Sequence, residues 1–188
     1  MKNQYIQHLL REEFNRLKYI IDCKRDQLIL NILYETGCTV NELVNIKIKH
    51  INFRNRTIKF PPESTKTNKK RFSFISPALA KQIKKFSSEQ KEFLFSSRQS
   101  PQLTTKRVRQ IIQSYSEAAG LGKINPQIIR YTHIAHALER GIPLTAIKKQ
   151  IGIGRLRIVQ VESVKTESRE SSDPEDKEKD YRRFLSDE

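Results

Sequence analysis

Residues 36–52 read TGCTVNELVNIKIKHIN: a helix stop, a short capped helix and the approach to a strand. Gly37 follows the apolar-periodic run 24–35, in which Leu28, Ile29, Ile32 and Leu33 recur at helical spacing, so it suits the left-handed C-terminal position of that helix. A short helix is expected near 41–46. Asn41 or Thr39 can cap it, and Thr39-Val40-Asn41-Glu42 fits the reciprocal capping pattern. HINFRNRTIKF then reads as two strands around Arg54-Asn55, and RFSFIS as a third, with Phe72 and Phe74 on one side and Arg71 and Ser73 on the other.

Helices flank this hairpin region on both sides. A helical pattern covers 4–17. Pro77 opens PALAKQIKKF, where Leu79, Ile83 and Phe86 share a face. EFLFSS is a short apolar element followed by a loop, RQSPQL. TTKRVRQIIQSYSEAAG is the clearest amphipathic helix, with a threonine cap, a Val108, Ile111, Ile112, Tyr115, Ala119 stripe and a Gly120 stop. PQIIRYTHIAHALERG starts at Pro126 and closes at Gly141, and TAIKKQIG is a short helix capped by Thr145 and stopped at Gly152. The expected fold class is mostly α with a small antiparallel β-sheet. Residues 1–164 are expected to form one domain and 165–188 a charged tail of disorder-type composition.

Charge is the strongest bulk signal. The 188 residues carry 36 Lys and Arg against 21 Asp and Glu, net +15. Residues 164–188 hold nine acids and six bases, net −3, which leaves net +18 on residues 1–163. A body this basic repels itself unless it meets a polyanion, and duplex DNA is the expected partner through counterion release. No apolar run reaches the ~18 residues that span a bilayer, and the N-terminus MKNQYIQHLLREEF lacks the apolar stretch of a signal peptide. Cys23 and Cys38 sit in apolar surroundings outside any C-x-x-C pair and read as two buried thiols of a reducing compartment. The expected location is cytoplasmic and DNA-associated. His133 and His136 form an H-x-x-H without a third ligand at suitable spacing, so no metal and no cofactor is expected.

Four segments, in order, resemble the catalytic domain of tyrosine recombinases, the phage-integrase and Xer-type family. TGCTVNELVNIKIKHIN is similar to the family's T-G-x-R-x-[ST]-E-L stretch, and KTNKKRFSFIS to the hairpin that delivers a catalytic lysine. EFLFSSRQSPQLTTKRVRQIIQSYSEAAGL resembles its strand, loop and long helix. NPQIIRYTHIAHALERGIPLTAIKKQIGIG resembles its H-x-x-R-H-T box and L-G-H motif. The likeness covers residues 20–164 and implies the DNA breaking-rejoining fold. With about twenty residues ahead of it, the family's N-terminal helical clamp is expected to be absent.

In that family a tyrosine attacks a DNA phosphodiester, two arginines and histidines hold the charge that develops, and a lysine protonates the leaving oxygen. The resemblance carries the lysine onto Lys66 and the second arginine onto Arg130. The first histidine falls on Gln127, a neutral donor, and the histidine after the second arginine on Tyr131. The first arginine falls on Thr39, which cannot clamp a phosphate bidentately. The last histidine falls on Ile153 and the nucleophile on Glu162, whose charge repels phosphate. Losing one preorganised donor typically costs about 10²–10³-fold in rate, so the pattern implies a DNA-binding, catalytically inactive relative with a regulatory or architectural role in recombination or integration. One alternative is an active recombinase with a rearranged site using Tyr181 in trans; the other is a protein-interaction module without a DNA role. Self-association through the C-terminal segment is a further expectation.

Several residues keep two readings. Arg130 can face phosphate, or hold the fold together through a carboxylate. Lys66, Lys69, Lys70 and Arg71 can be a solvated turn or a DNA-touching hairpin. Lys106, Arg107 and Arg109 can be a plain solvated helix face or a DNA face.

Overall fold

Apart from Lys66, Thr67 and Arg98, the computed structural model describes residues 7–152 of the 188-residue chain. The element at the centre is α2, Lys24–Thr36. Its apolar residues go round most of the helix, and Leu28, Ile29, Leu30, Ile32 and Leu33 are all buried. That composition suits a helix surrounded on several sides, and α2 contacts α3 (Val40–Val44), α4 (Pro77–Ser87), α5 (Thr105–Ala118), α6 (Pro126–Glu139) and strand β3 (Arg71–Phe74). Gly37 ends it at φ 55°, and a Cβ there would lie 2.5 Å from Ile151 Cγ2. Glycine is therefore required twice at this position, by backbone conformation and by close approach.

The sheet has the order β1 (Ile51–Asn52), β2 (Thr57–Phe60), β3, antiparallel throughout, with Ile58 opposite Ser73 and Phe60 opposite Arg71. Ile58 and Phe60 are fully buried. Because side chains alternate faces and cross-strand partners share one, this register turns Arg71 and Ser73 inward and leaves Phe72 48% exposed. Arg71 is thus corrected from a hairpin surface residue to a buried one.

Helix α7, Leu144–Ile151, packs beside β3. Its Gln150 side chain acts as a substitute strand: Oε1 accepts from Phe74 N–H at 2.9 Å and Nε2 donates to Phe74 O at 2.8 Å. Thr145 does not cap this helix. Ala146 and Ile147 N–H both bond to Pro143 O, so the helix opens at Pro143 and Thr145 lies inside its first turn. Apolar side chains of α6, α7 and the turn between them close this end of the molecule. Ile134, Ala137, Ile142, Ala146, Ile147 and Ile151 form a small second core against which Phe74 and Tyr131 pack.

The first helix, α1, spans Arg11–Ile20 rather than 4–17. Leu9 N–H donates to Thr132 Oγ1 at 2.9 Å, and Leu9 O lies 3.0 Å from His136 Nε2. These long-range bonds hold residue 9 to α6, and Leu10 is extended. The helix begins where Glu13 can cap it, taking the Leu10 N–H at 2.8 Å. Cys38 is buried, whereas Cys23 is half-buried at the start of α2 rather than buried as expected.

Candidate functional site

Thr39, Glu42, Arg71 and Arg130 converge from the α3 cap, α3 itself, β3 and α6. Thr39 is the N-cap of α3: its Oγ1 accepts from Glu42 N–H at 3.2 Å, and its own N–H donates to Glu42 Oε2 at 2.7 Å. The reciprocal capping pattern in the sequence is therefore formed. The Thr39 hydroxyl also donates to Glu42 Oε2, at 3.0 Å.

The Glu42 carboxylate faces two guanidinium groups. Arg71 meets it bidentately, Nε to Oε1 at 2.8 Å and Nη2 to Oε2 at 3.0 Å, the planar fork geometry that makes arginine suited to carboxylates. Its Nη1 donates to Gln150 O at 2.6 Å and to Ser73 Oγ, and its guanidinium carbon lies 4.1 Å from the Phe60 ring centroid. Arg130 donates through Nη1 to Gly37 O at 2.6 Å and through Nη2 to Ile151 O at 2.9 Å, and its Nη1 is 3.9 Å from Glu42 Oε2. Gly152 brings the chain across Arg71: its φ is 71°, and a Cβ there would collide with Arg71 Cδ.

Burial works against the Glu42 charge, but hydrogen bonds and charge from Arg71, the Thr39 amide and Arg130 outweigh it and hold the carboxyl below the usual range. Burial pulls Arg130 downward; Glu42 opposes this and the like charge of Arg71 adds to it. Burial pushes the Cys38 thiol up to about 12 and leaves it an inert neutral group.

Of the expected site residues, the structure gathers Thr39 and Arg130 with Arg71. Gln127 is exposed in the first turn of α6, where its N–H bonds to Asn125 Oδ1 at 2.9 Å. Lys69 and Lys70 are exposed at the hairpin end, and Lys106, Arg107 and Arg109 lie on the solvent face of α5. Tyr131 is half-buried against the second core. Lys66, Ile153, Glu162 and Tyr181 lie outside the described residues. His136 is engaged with Tyr34 Oη at 2.9 Å and with Leu9 O, and among the described residues no three His, Cys, Asp or Glu side chains gather as a metal site.

Sequence patterns did not single out Gln150 or the Arg71–Glu42 pair. A signal for the pair was present: Ile58 and Phe60 mark the inner face of β2, and hairpin pairing carries that face onto Arg71 and Ser73. Also outside the expected set are Lys49, Lys59 and Lys149, exposed on a groove of about 1000 Å³ between the outer sheet face and α7.

A mostly helical domain with a small three-stranded antiparallel sheet is the fold of the solved tyrosine recombinases that this chain superposes on. The solved XerA recombinase superposes with a TM-score of 0.70 at 22% identity, over 79% of this chain and 57% of that one. The XerH site-specific recombinase bound to difH substrate gives 0.69 at 19%, over 81% and 49%. The phage integrase family model matches residues 7–161, and the chain belongs to that family. Among curated relatives, tyrosine recombinase XerA of Pyrococcus furiosus is 34% identical over 81% of this chain and 55% of its own length. Tyrosine recombinase XerC of Anoxybacillus flavithermus is 31% identical over 85% and 58%. The chain spans little more than half the length of these relatives. No helix among the described residues is long and apolar enough to cross a membrane.

Proposed function

We propose that this chain holds duplex DNA without cutting it, as a pseudoenzyme of its family with a regulatory or architectural role in recombination or integration. The observation that carries the proposal is the closed Glu42–Arg71–Arg130 cluster. At the position where family resemblance calls for a cation presented to phosphate, Thr39 offers only a hydroxyl already bonded to Glu42. The nearby guanidinium of Arg71 is spent on Glu42, Ser73 and Gln150. Among the described residues Arg130 is the family cation left beside this turn, and by resemblance Ile153 and Glu162 take the donor and nucleophile positions.

Binding itself is supported by the net +18 of residues 1–163 and by the exposed Lys69, Lys70, Lys106, Arg107 and Arg109. Two neighbours in fold were solved on DNA, XerH with its difH substrate and lambda integrase with a COC' core site. Residues 1–164 act as the DNA-holding domain and 165–188 as an appended tail. The contacts are to backbone phosphates, so affinity falls with salt with a log–log slope of about −0.9 per phosphate neutralised.

Two measurements test this together. Gel-shift titrations over a salt series should show binding that weakens steeply as salt rises, and no binding at low salt refutes the DNA role and favours a protein-interaction module. A nicked suicide substrate should trap no covalent adduct. An adduct abolished by Tyr181→Phe establishes the active alternative with Tyr181 as nucleophile.

A further inference from the structure

Strand register decides what the outer face of the sheet presents to solvent. The pairs Ile58–Ser73 and Phe60–Arg71 point inward, so the alternate pairs, Lys59–Phe72 and Thr57–Phe74, point outward. Cross-strand partners have Cβ atoms about 4.5–5.5 Å apart, which sets the Lys59 stem beside the Phe72 ring. That ring is 48% exposed, a large apolar surface left half in water. Lys49, Lys59, Lys70 and Lys149 are exposed around it on the groove between this face and α7, and among the described residues no acid lines that groove. Positive charge is concentrated here. His50, half-buried in the groove wall, has its pKa lowered by burial and then by Lys49, Lys59 and Lys47, with Glu63 opposing.

A duplex, with its bases stacked on one another, can give such a surface only phosphate and leaves the Phe72 ring without a partner. A nucleotide strand with unpaired bases supplies both halves of the match: phosphates for the lysines and a π-face for the ring. An aromatic ring on a sheet surface with cations around it is the physical basis of sequence-tolerant single-strand binding.

We propose that the outer face of the β1–β2–β3 sheet binds single-stranded DNA, with a base stacked on Phe72 and the flanking phosphates held by Lys59 and Lys149. The site is separate from the α5 face assigned to duplex; Lys70, at the hairpin end, borders both and is left unaltered in the test. The choice of DNA over RNA rests on the DNA role proposed above, whereas the stacking site does not.

The test uses the full chain and a labelled thymidine oligonucleotide of about ten nucleotides, followed by fluorescence anisotropy at low salt. Phe72→Ala should weaken its binding by about 5–150-fold, the loss of one base–aromatic stack, and leave duplex affinity within about twofold. Because Phe72 is half exposed, the variant should keep its far-UV circular dichroism. Lys59→Ala and Lys149→Ala should each lower the single-strand salt slope by about 0.7. The chain has no tryptophan, so Phe72→Trp places a lone indole at the site. This variant should bind the oligonucleotide at least as well as the unaltered chain, and its emission should be quenched on binding. Inorganic polyphosphate should leave that emission unchanged. No binding of the oligonucleotide, or a Phe72→Ala loss below about twofold, overturns the proposal. Quenching by blunt duplex or by polyphosphate as strong as by the single strand overturns it too, as do unchanged salt slopes in both lysine variants. A matching RNA strand bound about tenfold more tightly assigns the face to RNA and overturns the choice of DNA. Loss of duplex binding alone sinks the duplex role and leaves the indole quenching to decide this site.

Discussion

Replacing Glu42 with alanine removes the carboxylate that two buried guanidinium groups share. The side chains of Glu42, Arg71 and Arg130 retain 5%, 9% and 7% of their exposure, so solvent cannot substitute for it. Deleting one member of a buried ion pair costs about 3–5 kcal/mol, since the partner charge stays behind uncompensated. Here Arg71 would be stranded and would repel Arg130. The Thr39 N–H also loses its acceptor, which adds roughly 1 kcal/mol as capping losses do. About 4–6 kcal/mol is a large part of the 5–15 kcal/mol available to a domain. At about 2–4 °C per kcal/mol for this size, the melting temperature should fall by about 8–24 °C. The chain has no tryptophan, so far-UV circular dichroism during urea and thermal unfolding is the assay. Removing Arg71 as well, as Arg71→Met, should cost less than the sum of the single losses, because the stranded charge goes with it. A Glu42→Ala loss below about 1 kcal/mol, the size of an exposed pair, refutes the reasoning, as does strict additivity in the double variant.

The same carboxylate predicts an acid limb. The folded pKa of Glu42 lies below its ordinary value of 4.5, so the unfolded chain binds more protons between the two values. Its contribution is complete above pH 4.5 and is lost as pH falls through the folded pKa. Stability measured from about pH 6 downward should show this loss in the native chain and lack it in Glu42→Gln. Thr39→Arg should not create a cutting enzyme: suicide-substrate trapping should stay negative and stability should drop by about 1 kcal/mol with the cap, and a covalent adduct would refute the assignment. Lys69→Ala and Lys70→Ala should each lower the salt slope of DNA binding by about 1 and weaken all sequences alike. An unchanged slope would remove those lysines from the contact.

What could be read along the chain was what neighbours within a few residues decide. Gly37 stopped α2, Thr39 and Glu42 capped α3, and the stripes of α4 and α5 marked their buried faces, because backbone conformation, capping and periodicity act within a turn or two. The family motifs were legible for the same reason, since each is a local run. The tertiary structure decided the rest. Arg71 belonged to a lysine-rich turn in the sequence, and pairing opposite Phe60 turned it inward to a carboxylate 29 residues away. Gln150 became a surrogate strand for Phe74, 76 residues distant. Leu9 was tied to Thr132 across 123 residues, and α1 started late as a result. A buried polar group must find its partner wherever the fold brings one, and that distance has no trace in local pattern. The sequence by itself placed Thr39 in a local capping pattern with Glu42; only the assembled core brought Arg71 onto the Glu42 carboxylate and Arg130 onto Gly37 O and Ile151 O around that turn.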